Sequence, residues 1–142
     1  MTNKAAFSLI EVLVALVIVA IMGSVVALQL VGTGDEAKVT STQAEVKTLA
    51  TALILFKTQQ GFLPSQNQGF EALIREPTTP PLAPRYPAGG YLQSITIPVD
   101  GWDNPYIYLI PGRENQPFEI LSYGADGIEG GSGVNADISN LQ

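Results

Sequence analysis

Residues 5–31 read AAFSLIEVLVALVIVAIMGSVVALQLV, apolar almost throughout from Phe7 to Val31 except for one acid, Glu11. As a helix that run would reach about 37 Å, enough to cross a hydrocarbon core of about 30 Å. Lys4 precedes it and Asp35 and Glu36 follow it. By the positive-inside rule these flanks put the N-terminus in the cytoplasm and the rest of the chain across the membrane. A cleavable secretory signal, with small residues at Val25 and Ala27, and a plain membrane anchor both fit the run. Neither explains Glu11. An ionised acid in mid-span costs about 2.5–3.5 kcal/mol on insertion scales, less near the interface where this one falls. Two accounts of the acid stay open. In the first turn of a helix a carboxylate suits the dipole and can snorkel to the headgroups. Alternatively, a cut before Phe7 creates an α-amino cation, and a staggered neighbour's Glu11 neutralises it inside a bundle of helices. The acid then sets axial register, as one buried polar residue does in a coiled coil.

The segment AFSLIEV followed by this apolar run resembles the class III signal of type IV pilin-like proteins. The resemblance implies cleavage between Ala6 and Phe7 by a prepilin peptidase, N-methylation of Phe7, and an assembly role for Glu11. It divides the chain into a leader at 1–6, a membrane and filament-core helix at 7–31 and a globular head at 32–142. Two positions depart from the pattern: Ala6 stands where Gly is usual, and Leu28 where a Pro is common. Gly32 and Gly34 follow soon after as an alternative weak point in the helix.

The whole chain has 142 residues, 13 acids against 7 bases, and a net charge of −6. That balance disfavours nucleic acid as a partner. With no Cys and no His, disulfides, thiol nucleophiles, imidazole bases and nearly all zinc or haem sites are excluded. Asp100 and Asp103 are the carboxylates a membrane-tethered enzyme would use. No nucleophile–base pair near a glycine turn, no phosphate loop and no redox motif accompanies them.

Beyond Gly34, apolar residues at Val39, Val46, Leu49, Ala50, Leu53 and Phe56 are spaced for one face of an amphipathic helix. Lys57 and Gly61 suit its end. Glu45 and Lys47 fall on the opposite, solvated face. Ser65 is placed to cap a short helix through Ile74, stopped by Pro77. Five prolines between Pro77 and Pro87 make a stiff covering loop. YIYLI and FEILSY read as strands joined by the turn PGRENQ, with YLQSITI a third strand. The fold class is therefore α+β: a long N-terminal helix packed on a small antiparallel sheet, with Pro-rich and Gly-rich loops.

The C-terminal stretch YGADGIEGGSGVNADISNLQ has little to pack, so something must hold it in place unless it is a mobile acidic tail. Oxygen-bearing groups at Asp126, Glu129, Ser132, Asn135 and Asp137 suit a hard cation such as Ca²⁺, although the EF-hand spacing is missing.

QGFEAL, PAGGYL, GWDNPYIY and FEILSYGADG follow in the order seen in major pseudopilins of the type II secretion system, so the likeness runs over nearly the whole chain. It implies a pilin-like fold and a structural Ca²⁺ held by Asp126, Asp137 and the Tyr123 carbonyl, with Ser132 or Asn135 as further candidates. It also implies a single-pass inner-membrane protein with a periplasmic head. Such a subunit homopolymerises through N-terminal helices and works with minor pseudopilins, the inner-membrane assembly platform and the prepilin peptidase. Around the Trp, Pro or Ala is expected where Gly101 stands, and Gly where Asp103 stands. A surface type IV pilus is the alternative function. The missing disulfide and the acidic head oppose it.

Overall fold

The computed structural model describes residues 8–142, with the side chains of residues 23–33 left out of account. The described residues divide into two units, with the boundary between Glu36 and Ala37. Helix α1 (Leu9–Gln60) runs through the end of the first into the second, and its helical backbone continues across residues 32–34.

In the second unit, Thr42, Val46, Leu49, Leu53 and Phe56 of α1 are buried at alternating spacings of four and three, one face of a 3.6-residue period. Val39 and Ala50 pack at its edge. The core opposite is built from Phe70, Leu73, Leu92, Tyr106, Tyr108, Phe118, Ile120 and Ile138. Rings interlock there: Phe56 meets Phe62 edge-on at 5.7 Å and Tyr91 at 5.0 Å. Glu45 departs from the expected solvated face. It is half-buried and its charge lies near the Tyr106 phenol.

Short helix α2 spans Glu71–Ile74 rather than starting at Ser65. Ser65 caps a separate turn: its Oγ accepts the Gln68 N–H at 3.3 Å, and Gln68 Oε1 accepts the Ser65 N–H at 2.9 Å. This reciprocal pair is a capping box spent on a single turn.

The sheet has three antiparallel strands in the order β1 (Ile107–Leu109), β2 (Glu119–Ser122), β3 (Ile138–Ser139). Tyr108 stands opposite Ile120, and Leu121 opposite Ser139. YIYLI and FEILSY thus contain β1 and β2, and the α+β class holds. YLQSITI is not a strand, and Ile95 within it is 85% exposed. The third strand is Ile138–Ser139, out of the stretch read as loop.

Candidate functional site

The N-terminal site begins with Ser8. Its carbonyl accepts the Glu11 and Val12 N–H groups at 3.0 and 3.3 Å, and its Oγ lies 3.3 Å from the Glu11 nitrogen. Ser8 is therefore the N-cap of α1, and Glu11 sits in the first turn, where its charge complements the exposed N–H groups. Glu11 lines a shallow recess of about 410 Å³ with Val12, Ala15, Leu16 and Val19. Large apolar side chains around it are open: Leu9 is 86% exposed, Leu16 65% and Met22 66%. Among the described residues no helix is long and apolar enough to cross a membrane. Of the expected span at 7–31, Phe7 and the side chains of residues 23–31 lie outside the described residues, as do the cleavage residues Ala6 and Phe7.

The C-terminal loop folds back on itself. Ala125 N–H donates to the Val134 carbonyl at 2.9 Å, which brings the Tyr123–Asp126 stretch beside the Ser132–Asp137 stretch. Gly124 permits this closeness: φ is +65°, and a Cβ there would stand 2.8 Å from the Val134 oxygen and the Asn135 carbonyl carbon. Asp126 Oδ1 accepts the Ile128 N–H at 3.1 Å, and Asp137 Oδ1 accepts the Gly130 N–H at 2.9 Å, spanning seven residues. Each carboxylate thus commits one oxygen to the loop's own backbone. Tyr123 and Asn135 are half-buried, and Ser132 is exposed. Among the described residues, no three acids converge into a carboxylate-only metal cluster. A hard cation here would draw on carbonyl, hydroxyl and amide oxygens besides Asp126 and Asp137. That donor chemistry suits Ca²⁺.

Arg113, in the turn between β1 and β2, ties this loop to the sheet. Its Nε and Nη2 donate to the two carboxylate oxygens of Glu119 at 2.8 and 2.7 Å. Arg113 N–H and Ser139 Oγ–H donate to the same carboxylate at 3.2 and 2.9 Å. Nη1 lies 3.6 Å from Glu129 in the loop. The Glu119 side chain is only 2% exposed, and hydrogen bonds from Arg113 hold its carboxyl below the ordinary range. The sequence reading missed this pair. The signal was present, since Glu119 interrupts an apolar strand as Glu11 interrupts the N-terminal run.

Asp100 does structural work. Its Oδ1 accepts the Trp102 and Asn104 N–H groups at 2.9 and 2.8 Å, and its Oδ2 accepts Ser122 Oγ–H at 2.6 Å. Asp103, the other carboxylate weighed for catalysis, is exposed and adopts φ +66°.

Residues 29–141 match the family model for type II secretion system protein G, and residues 1–27 match the prokaryotic N-terminal methylation motif. The chain is 43% identical to the type II secretion system core protein G of Pseudomonas aeruginosa, over 97% of this chain and 95% of that one. With its Vibrio cholerae counterpart it shares 38% identity over 99% and 93% of the two chains. The fold is similar to the crystal structure of the major pseudopilin from the type 2 secretion system of enterohaemorrhagic Escherichia coli. The TM-score is 0.63 at 29% identity, covering 78% of this chain and 92% of that one. The chain belongs to the type II secretion system protein G family.

Proposed function

We propose that this chain is the structural subunit of a type II secretion pseudopilus, a short periplasmic filament that helps export folded proteins across the outer membrane. The observation that carries it is Glu11 in the first turn of a helix whose flanking apolar side chains are uncovered. Such a surface is covered by lipid while the subunit is stored in the inner membrane and by neighbouring helices once it polymerises. A prepilin peptidase cuts between Ala6 and Phe7, Phe7 is N-methylated, and the Phe7 amine of one copy neutralises Glu11 of the next. Minor pseudopilins and the inner-membrane assembly platform complete the machine. No residue performs chemistry. A structural Ca²⁺, held by Asp126, Asp137 and the Tyr123 carbonyl with Ser132 or Asn135, stiffens the C-terminal loop. A type IV pilus for adhesion, motility or DNA uptake fits less well, because the chain has no Cys to close its C-terminal loop.

Intact-mass analysis of the mature protein tests the processing. The expected chain begins at N-methylated Phe7. A chain beginning at Leu28 would mean ordinary signal cleavage, and the filament reading would fall.

A further inference from the structure

Between α1 and the Val99–Tyr106 segment lies a recess of about 140 Å³, lined by Ser41, Thr42, Glu45, Val99, Asp100, Gly101 and Tyr106. Its floor holds a polar group left over by the fold. Tyr106 is only 7% exposed, yet its hydroxyl has no hydrogen-bond partner. Thr42 Oγ1 is nearby and accepts the Gly101 N–H at 2.9 Å, but no hydrogen bond of good geometry joins its hydroxyl to that of Tyr106. Burying a hydroxyl without a partner is costly, so the native state gains if a ligand or water supplies one.

The rest of the lining describes that ligand. Ser41 Oγ gives its proton to the Lys38 carbonyl at 3.0 Å and keeps lone pairs for accepting. Asp100 has both oxygens engaged by Trp102, Asn104 and Ser122, so it contributes negative potential and little binding capacity. Glu45 supplies a full carboxylate, and among the described residues it forms no ion pair within 4.0 Å. Burial and the charges of Glu45 and Asp100 push the Tyr106 phenol well above its ordinary pKa, so it remains a neutral hydroxyl. One available carboxylate and two hydroxyls match in number the three N–H donors of a primary ammonium. A divalent cation would require more free carboxylate oxygens than this recess offers. At its mouth Val99 is 49% exposed, and the segment leading there also exposes Ile95 and Ile97. An aliphatic stem beneath the charged head suits that rim, as lysine's does.

We propose that this recess is a docking site for a lysine ammonium from a neighbouring copy of the chain, seated on Glu45, Ser41 and the Tyr106 hydroxyl. The neighbouring copy as the source rests on the filament reading. The ammonium site itself does not.

Two experiments separate the two. In the first, full-length protein in detergent micelles is titrated with methylammonium chloride at constant ionic strength, followed through the Tyr106 ring resonances. A saturable shift is expected, with affinity weakened about tenfold or more in Glu45→Gln, the loss expected for one charge-assisted hydrogen bond. Tyr106→Phe, followed through the ring resonances of the substituted side chain, weakens it too, although deleting an unpartnered hydroxyl should not harm the fold. No saturable shift, or the same shift with tetramethylammonium, which has no N–H to donate, overturns the proposal. In the second, assembled protein is treated with a carbodiimide and intermolecular crosslinks are mapped by mass spectrometry. A Glu45–lysine link between copies, absent in Glu45→Gln, supports the proposal. Abundant intermolecular links at other acids with none at Glu45 overturn the neighbouring copy as donor. No intermolecular link at any acid overturns the filament reading instead, and the methylammonium result still decides the recess.

Discussion

Gly101 lies against the α1 backbone at Lys38: a Cβ at position 101 would stand 2.8 Å from the Lys38 Cβ and 2.9 Å from its carbonyl oxygen. The adjoining Gly101 N–H donates to Thr42 Oγ1 one turn further along the helix. Pro, expected here on resemblance, lacks that N–H, and Ala would press on helix backbone that has no room to yield. Gly101→Ala should therefore destabilise the protein by about 1–3 kcal/mol, measured as a lower urea midpoint with an unchanged slope. An unchanged midpoint would mean that the segment stands off the helix.

Two residues on, Asp103 occupies the left-handed region at φ +66°, where a side chain is strained. The expected Gly at this position is explained by that backbone angle. Asp tolerates the conformation better than most residues, so the strain is modest. Asp103→Gly should raise the thermal midpoint, by up to about 1 kcal/mol in stability, whereas Asp103→Ala should not. Equal effects from both would show that the side chain, not the backbone angle, is responsible.

Glu119 makes stability depend on pH with a definite sign. Its folded pKa lies below the ordinary value of 4.5, chiefly through hydrogen bonds from Arg113. The group therefore contributes fully above pH 4.5 and loses that contribution as pH falls through the depressed folded value. Glu119→Gln should lower stability at pH 7 by about 1–3 kcal/mol, the charge-assisted bonds being lost in a buried site. The gap from wild type should close in acid. Urea titrations from about pH 7 down to about pH 3 measure it, and a pH-independent gap would contradict the assignment.

A bound Ca²⁺ stabilises the folded state by about 2.7 kcal/mol when free Ca²⁺ is a hundred times Kd. A chelator should accordingly lower the melting temperature of the full-length protein in detergent, and restored Ca²⁺ should recover it. Asp126→Ala and Asp137→Ala should each erase most of that sensitivity, because these are the two carboxylates proposed to hold the cation. If chelation leaves the midpoint unmoved, the loop's own hydrogen bonds, Asp137 to Gly130 among them, hold it without a cation.

The buried face of α1 was legible because burial against a single core imposes a 3.6-residue period on Val46, Leu49, Leu53 and Phe56. β1 and β2 were legible from β-branched and aromatic runs around a good turn. YLQSITI has the same composition, but strands are made by partners as much as by propensity. Ile95 and Ile97 find no neighbouring strand, while two unremarkable residues, Ile138 and Ser139, become β3 because β2 offers them an edge. The Gly-rich loop was recognisable as needing support. That Arg113 supplies part of it, through Glu129 and the sheet residue Glu119, depends on a contact that no local pattern encodes. The unpartnered Tyr106 hydroxyl is likewise a property of packing, visible only when helix and loop are brought together.

The pairing of Glu11 with a neighbour's amino terminus is tested most directly in assembled filaments. Glu11→Ala should leave membrane insertion intact and abolish assembly, and a high-resolution filament map should place each Glu11 carboxylate within about 4 Å of the N-methylated Phe7 nitrogen of an adjacent copy. A map with Glu11 facing solvent or lipid, distant from every neighbouring amine, would contradict the account. So would normal filaments from Glu11→Ala.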